Sequence, residues 1–273
     1  MAHADDARSW PSSLGAAHRS FLRHALDTFS GDARIVGVGA GGSFLTDTMD
    51  EFSDLDLVVV TEASAHERVL RDSPIIAKEL GPLLAAFTGE HVGEPRLLIC
   101  FYDGSPPLHV DLKFVALGTL DRRVEDPAVL WEREGRVTGE LAQSTAEYPV
   151  PDRQWIEDRF WVWIHYAATK LGRGELFETV EFLSALRNLA LGPLALMSVG
   201  ARPSGVRRLE SLAPHYASRL QATIATYDAR DCGRALRACV DTYRALRAEG
   251  GALERREAAE AAATRYLDEV ERR

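Results

Sequence analysis

Asp54 and Asp56 stand two residues apart at the head of a short apolar run, "SDLDLVVV". Side chains of a strand alternate between its faces, so this spacing predicts both carboxylates on one side of the strand's start. Adjacent anions repel, and a chain that keeps them together needs something positive between them. A divalent cation serves that need. Hard carboxylate oxygens favour magnesium, which usually takes further oxygens from a substrate's phosphates. A polar turn entering a strand is the plainer reading of "EFSDLD", and it competes only while the two acids are considered alone.

The residues upstream sharpen the choice. Gly37, Gly39 and Gly42 in "GVGAGGS" fit the G-x-G-x-x-G spacing of a dinucleotide-binding turn, and Glu62 follows the next strand where such a site wants an acid. Yet only Ile35 and Val36 supply apolar strand before Gly37. Phe44, Leu45, Met49 and Phe52 give only part of an apolar face for a crossover helix. That reading also leaves Asp54 and Asp56 unexplained. A metal-phosphate reading uses more of the residues. Gly41, Gly42 and Ser43 offer N–H groups and a hydroxyl to a triphosphate at a helix N-terminus. Asp111, an acid between Val110 and Leu112 in "LHVDLKF", is the candidate third carboxylate. Three such acids on neighbouring strands suit a two-metal site with ions roughly 4 Å apart.

Patterning changes near residue 150, in the proline-bearing segment "EYPVPDRQW". Before it, short β-rich runs alternate with helical patterns. "SSLGAAHRSFLRHALDTFS" predicts a helix with Ser12 or Ser13 as its cap, and "ARIVGVGA" and "LDLVVV" predict strands. "SAHERVLRDSPIIAKELGPLLAAF" predicts a helix or two, interrupted at Pro74. "RLLICFY" and "LHVDLKFVAL" flank the turn residues "DGSPP" and predict a β-hairpin. The order implies a mixed sheet covered by helices. After residue 150 about five helical patterns follow, beginning with the aromatic helix "RFWVWIHYAATKLGRGEL". The expectation is therefore an α+β chain, with residues 1–150 as a catalytic domain and 151–273 as a helical bundle.

Bulk properties narrow the partners. The net charge of -9 over 273 residues argues against a nucleic-acid partner, which calls for a basic stripe. Cys100, Cys232 and Cys239 are too few and scattered for a disulfide framework or zinc knuckle. No N-terminal segment joins basic residues to an apolar run, and no run of 18 apolar residues occurs. The expectation is a cytoplasmic protein without a membrane partner; a homodimer is left open.

Taken together, "VGAGGS", "SDLDLVV" and "HVDLKF" resemble, in order, the signature of the nucleotidyltransferase superfold shared with DNA polymerase β. Within it, the chain is most similar to the small-molecule branch, the aminoglycoside and lincosamide nucleotidyltransferases, which also place a helical bundle after the catalytic domain. The resemblance implies transfer of AMP from ATP to a hydroxyl of a small molecule. It implies Gly42 and Ser43 at the triphosphate, Asp54 and Asp56 as magnesium ligands, and Asp111 as third ligand or general base. It further suggests Lys170, then Arg173, as cations for the phosphates, although a cation at a helix C-terminus also suits the dipole alone. Trp161, Trp163, His165 and Tyr166 are candidates for an acceptor pocket, and Glu90 and Glu94 for contact with a cationic acceptor. The alternatives are a protein or other acceptor, or a non-catalytic nucleotide-binding relative.

Overall fold

The computed structural model describes residues 10–272, and the chain divides after Tyr148 into two units. In the first, α1 (Ala16–Gly31) precedes β1 (Ile35–Ala40), and a 3-10 turn over Gly42–Thr46 leads towards β2 (Leu55–Thr61). Then come α2 (His66–Glu79), β3 (Leu83–Gly89), β4 (Glu94–Tyr102), β5 (Leu108–Ala116), β6 (Ala128–Glu132) and α3 (Arg136–Leu141). The sheet runs β3-β4-β5-β2-β1-β6. β2 and β5 pair in parallel; every other neighbouring pair is antiparallel. This is the expected α+β mixed sheet.

Alternation decides which side of the sheet is core. Leu55, Leu57 and Val59 of β2 and Val110, Leu112 and Phe114 of β5 join Leu22, Phe29, Val69 and Ile76 from α1 and α2 in one buried cluster. Each such fully buried side chain contributes about 1.5–3 kcal/mol. On the opposite face a smaller cluster of Val36, Val60, Val115, Leu120 and Val137 covers the far ends of β2 and β5. The near ends, where Asp56 and Asp111 sit, are only partly buried.

Three local expectations change. Residues 83–87 form β3, not helix, because pairing with β4 overrides the helix preference of Leu and Ala. α2 runs through Pro74 without a break. The proline offers no N–H to the Leu70 carbonyl, and the Ser73 hydroxyl donates to that carbonyl instead, at 2.9 Å. Ser12 and Ser13 do not cap α1, which starts after Gly15. Their hydroxyls donate to Asp47 at 3.0 and 2.9 Å, fastening the segment that leads into β2.

The second unit is helical. α4 (Arg153–Gly172) is capped by Asp152, whose side chain accepts from the Gln154 N–H. α5 (Leu176–Leu186) passes through a π-helical turn, Arg187–Leu191, into α6 (Gly192–Ser198). This 23-residue stretch is long and apolar enough to cross a membrane by length and composition, with mean hydropathy 1.3. Half of that apolar window is buried, and Leu183, Leu186, Leu191 and Leu194 belong to the unit's core. The pattern at 206–227 splits into α7 (Leu209–Leu212) and α8 (Pro214–Gln221), and α9 (Ala229–Glu249) and α10 (Glu257–Glu271) complete the unit.

At its centre Glu157 of α4 is fully buried yet charged. Tyr243 donates to it at 2.5 Å, Arg247 at 3.1 Å, Trp161 Nε1 at 3.2 Å and the Arg256 backbone N–H at 2.9 Å. Burial alone would raise this carboxyl. Those hydrogen bonds and the Arg247 charge outweigh it and hold the group below the usual carboxylate range.

Candidate active site

Strand register brings two of the three predicted acids together. Asp56 of β2 lies directly beside Asp111 of β5. Neighbouring strands lie about 4.8 Å apart, and residues side by side across a ladder share a face. Asp54 precedes the paired part of β2, which starts at Leu55, and is partly exposed. Its position follows from Ser53, whose carbonyl accepts from His18 Nε2 of α1 at 2.8 Å. Among the described residues, no group of three or more His, Cys, Asp or Glu side chains is placed to hold a metal ion. The two paired carboxylates are hard oxygen donors of the kind magnesium takes alongside phosphate oxygens, so the residues present fit that ion.

The glycine turn abuts this pair. Gly41 N–H donates to the Asp56 carbonyl at 2.9 Å. Gly42 has a φ of +59°, which an L side chain adopts only with strain, and a Cβ there would collide with the Asp56 carboxylate. Ser43 opens the 3-10 turn that follows and is partly exposed. Gly37 and Gly39 answer to packing: a Cβ on Gly37 would stand 2.6 Å from Val137, and one on Gly39 2.9 Å from Pro127. β1 and β2 are antiparallel, whereas a dinucleotide-binding turn joins parallel strands through a crossover helix. The G-x-G-x-x-G match therefore does not mark a dinucleotide site. Glu62, its would-be ribose acid, is paired with Arg136 at 2.5 Å.

Two residues missed in the sequence reach this site. His109 lies two residues before Asp111 on β5, and its Nε2 is 3.0 Å from Asp111 Oδ1. The period of two that linked Asp54 to Asp56 also points to it. Glu125, in the loop before β6, accepts from Gly42 N–H at 2.8 Å across 83 residues of chain. Nothing local in "RRVEDPAV" signals that contact.

The same sheet face continues past Asp111. Ile99 lies opposite Asp111, Phe101 opposite His109, and Phe87 opposite Ile99. Phe87 is 55% and Phe101 45% exposed, so an apolar strip adjoins the acids. Glu94 is engaged with Arg96 at 2.8 Å and Lys113 at 2.9 Å; these partners, Arg96 foremost, hold its carboxyl down to about 2. Glu90 accepts from the Thr88 hydroxyl at 2.5 Å.

In the helical unit, Lys170 pairs with Glu175 and Glu178, each at 2.9 Å, and lies over the Tyr166 ring. Its hydrogen bonds to these two acids, Glu178 first, raise its pKa. Arg173, more exposed, is 3.9 Å from Glu175. Of the candidate aromatics, Trp161 is buried in the core beside Tyr243, while Tyr166 is exposed and donates to Glu178.

The paired acids of the sheet thus lie beside a glycine turn. Residues 22–93 match the nucleotidyltransferase domain family, so this part of the chain carries a nucleotidyltransferase domain. The matched segment holds the glycine turn, Asp54 and Asp56, and ends before Asp111. No curated protein matches the chain. Among solved structures it is similar to an aminoglycoside 6-adenyltransferase from Bacillus subtilis, with 15% identity over 92% of this chain and 97% of that one and a TM-score of 0.38. It is also similar to a nucleotidyltransferase-like protein from Exiguobacterium sibiricum 255-15, with 15% identity over 93% of this chain and 79% of that one and a TM-score of 0.37.

Proposed function

We propose that the protein moves AMP from ATP to a hydroxyl of a small molecule, releasing pyrophosphate, with magnesium as the metal. The observation that carries this reading is the side-by-side register of Asp56 and Asp111 next to the Gly41–Gly42 turn. Two anions so placed cost stability unless a cation joins them, and the triphosphate would share that cation. Asp54, Asp56 and Asp111 are the residues that would hold magnesium. When bound, magnesium supplies the positive charge that a triphosphate and clustered acids both require.

The chain's own residues then have distinct work. Gly42 and Ser43 bind the terminal phosphates through a backbone N–H and a hydroxyl. Asp111 holds metal or takes the proton of the acceptor hydroxyl. Lys170 and Arg173 remain the proposed cations for phosphate charge, Lys170 by exchanging a carboxylate partner for a phosphate oxygen. Because little covalent chemistry falls to the protein, catalysis rests on positioning and charge stabilisation. Preference for adenine follows from the family resemblance.

For the acceptor, the strip of Phe87, Ile99 and Phe101 beside Asp111 supports a small molecule with an apolar face. Glu90 and Glu94 are already engaged, which weakens the case for a polycation there. A lincosamide-like acceptor therefore fits better than an aminoglycoside. Three buried free thiols accord with a cytoplasmic enzyme. The test is pyrophosphate release with ATP, magnesium and a panel of lincosamides and aminoglycosides, followed by mass analysis of the acceptor. Acceptor-dependent release with an added AMP supports the reading. Release by none of the panel, together with stabilisation by no nucleoside triphosphate, would overturn it.

A further inference from the structure

The donors of the glycine turn are already spoken for. Gly41 N–H donates to the Asp56 carbonyl at 2.9 Å, within the backbone. Gly42 N–H donates to a carboxylate of this same chain, Glu125 Oε1, at 2.8 Å. That oxygen also fills the space above the neighbouring residue, since a Cβ on Gly41 would stand 2.6 Å from it. Glu125 is delivered by a fixed loop. Asp126, the next residue, pairs with Arg123 at 2.6 Å, and Arg123 in turn donates to the Leu120, Leu141 and Ser144 carbonyls. Pro127, one residue further, packs against Gly39 of β1.

Backbone N–H groups in a turn of this kind form a concavity that receives anions. Here the anion is internal. We propose that Glu125 occupies the phosphate position on Gly42 N–H in the empty enzyme and yields it to an incoming triphosphate. This rests on the reading that a nucleoside triphosphate binds at the glycine turn. A phosphate oxygen and a carboxylate cannot both accept the single N–H, and at such separations like charges repel. Glu125 is thus a positioning residue with two effects. It keeps the Gly42 donor satisfied and the turn shaped while no nucleotide is present, and it opposes polyphosphate affinity by the cost of its displacement. The ligand class it responds to is polyphosphate, irrespective of the base.

The two effects separate by substitution. Glu125→Gln keeps a side-chain oxygen for Gly42 N–H and removes the charge; Glu125→Ala removes both. Calorimetric titration of wild type and both variants would use the magnesium complex of α,β-methylene ATP, inorganic tripolyphosphate and adenosine. Expected is a gain of about fivefold for Glu125→Gln with the analogue and with tripolyphosphate, the size of one partly exposed charge interaction. Adenosine affinity stays unchanged. A Glu125→Ala protein that folds, by circular dichroism, also binds tripolyphosphate more tightly than wild type. Equal or weaker tripolyphosphate binding by the folded Gln variant overturns the proposal and leaves the functional reading standing. If wild type and both variants bind neither phosphate probe, the functional reading falls, and this inference with it.

Discussion

Asp56 with Asp111 in the sheet and Glu157 in the helical unit are the same functional group in opposite circumstances. Glu157 is wholly buried and surrounded by donors: a phenol, an indole, a guanidinium and a backbone N–H. Its charge is neutralised within the fold, and its burial serves the core. Asp56 and Asp111 are set beside each other as like charges, partly exposed, with His109 Nε2 3.0 Å from Asp111 and the exposed rings of Phe87 and Phe101 on the same face. Like charges directly across a ladder destabilise a sheet. A fold that satisfies one buried carboxylate so fully shows what its chemistry can provide. In the proposed function, the sheet acids hold charge for a ligand.

The largest expected effect breaks the sheet side of this comparison. Asp56→Asn should lower AMP transfer by about three orders of magnitude, the scale of several kcal/mol of metal-assisted charge stabilisation. Steady-state pyrophosphate release with a competent acceptor measures it. Breaking the other side, Glu157→Ala leaves Arg247 buried without that partner and should cost about 3–5 kcal/mol of stability in urea unfolding. Replacing Gly42 by Ala forces a side chain into a φ of +59° and onto the Asp56 carboxylate. It should cost about 1–2 kcal/mol for the strain alone and raise KM for ATP. The smallest effect is pH-dependent. Glu94 has a folded pKa of about 2 against an ordinary 4.5, so its contribution is complete above 4.5 and lost as pH falls towards 2. Glu157 is also held below 4.5, so the helical unit too should lose stability as pH falls below that value. Unfolding followed by denaturant between pH 6 and about 3 should show the loss; stability rising on acidification would contradict it.

Much of the sheet side was legible because strand chemistry is periodic. The apolar run after Asp56 declared β2, and "DGSPP" between apolar runs declared the hairpin that carries Asp111. What stayed hidden depended on long-range contact. Residues 83–87 look helical because Leu and Ala favour helices; only the β4 partner makes them a strand. β6 is five residues long and exists by pairing with β1, some way back along the chain. Glu125 reaches Gly42 only because that loop folds over β1. Gly37 and Gly39 misled for a similar reason. Their small size answers to Val137 and Pro127, neighbours that no local pattern reveals. In the helical unit the stripes were readable, but apart from Trp161 on α4 itself the donors around Glu157 come from α9 and the segment before α10, remote in sequence from α4.

The most direct test of the central claim measures stability rather than turnover. Urea unfolding of wild type and Asp111→Asn is compared without metal, then with magnesium and α,β-methylene ATP. The account predicts that without metal Asp111→Asn is as stable as wild type or more so, because a like-charge pair has been relieved. It predicts further that magnesium with the nucleotide stabilises wild type and fails to stabilise the variant. A variant that is less stable without metal, yet gains as much as wild type from magnesium and nucleotide, would show that Asp56 and Asp111 are paired for structure.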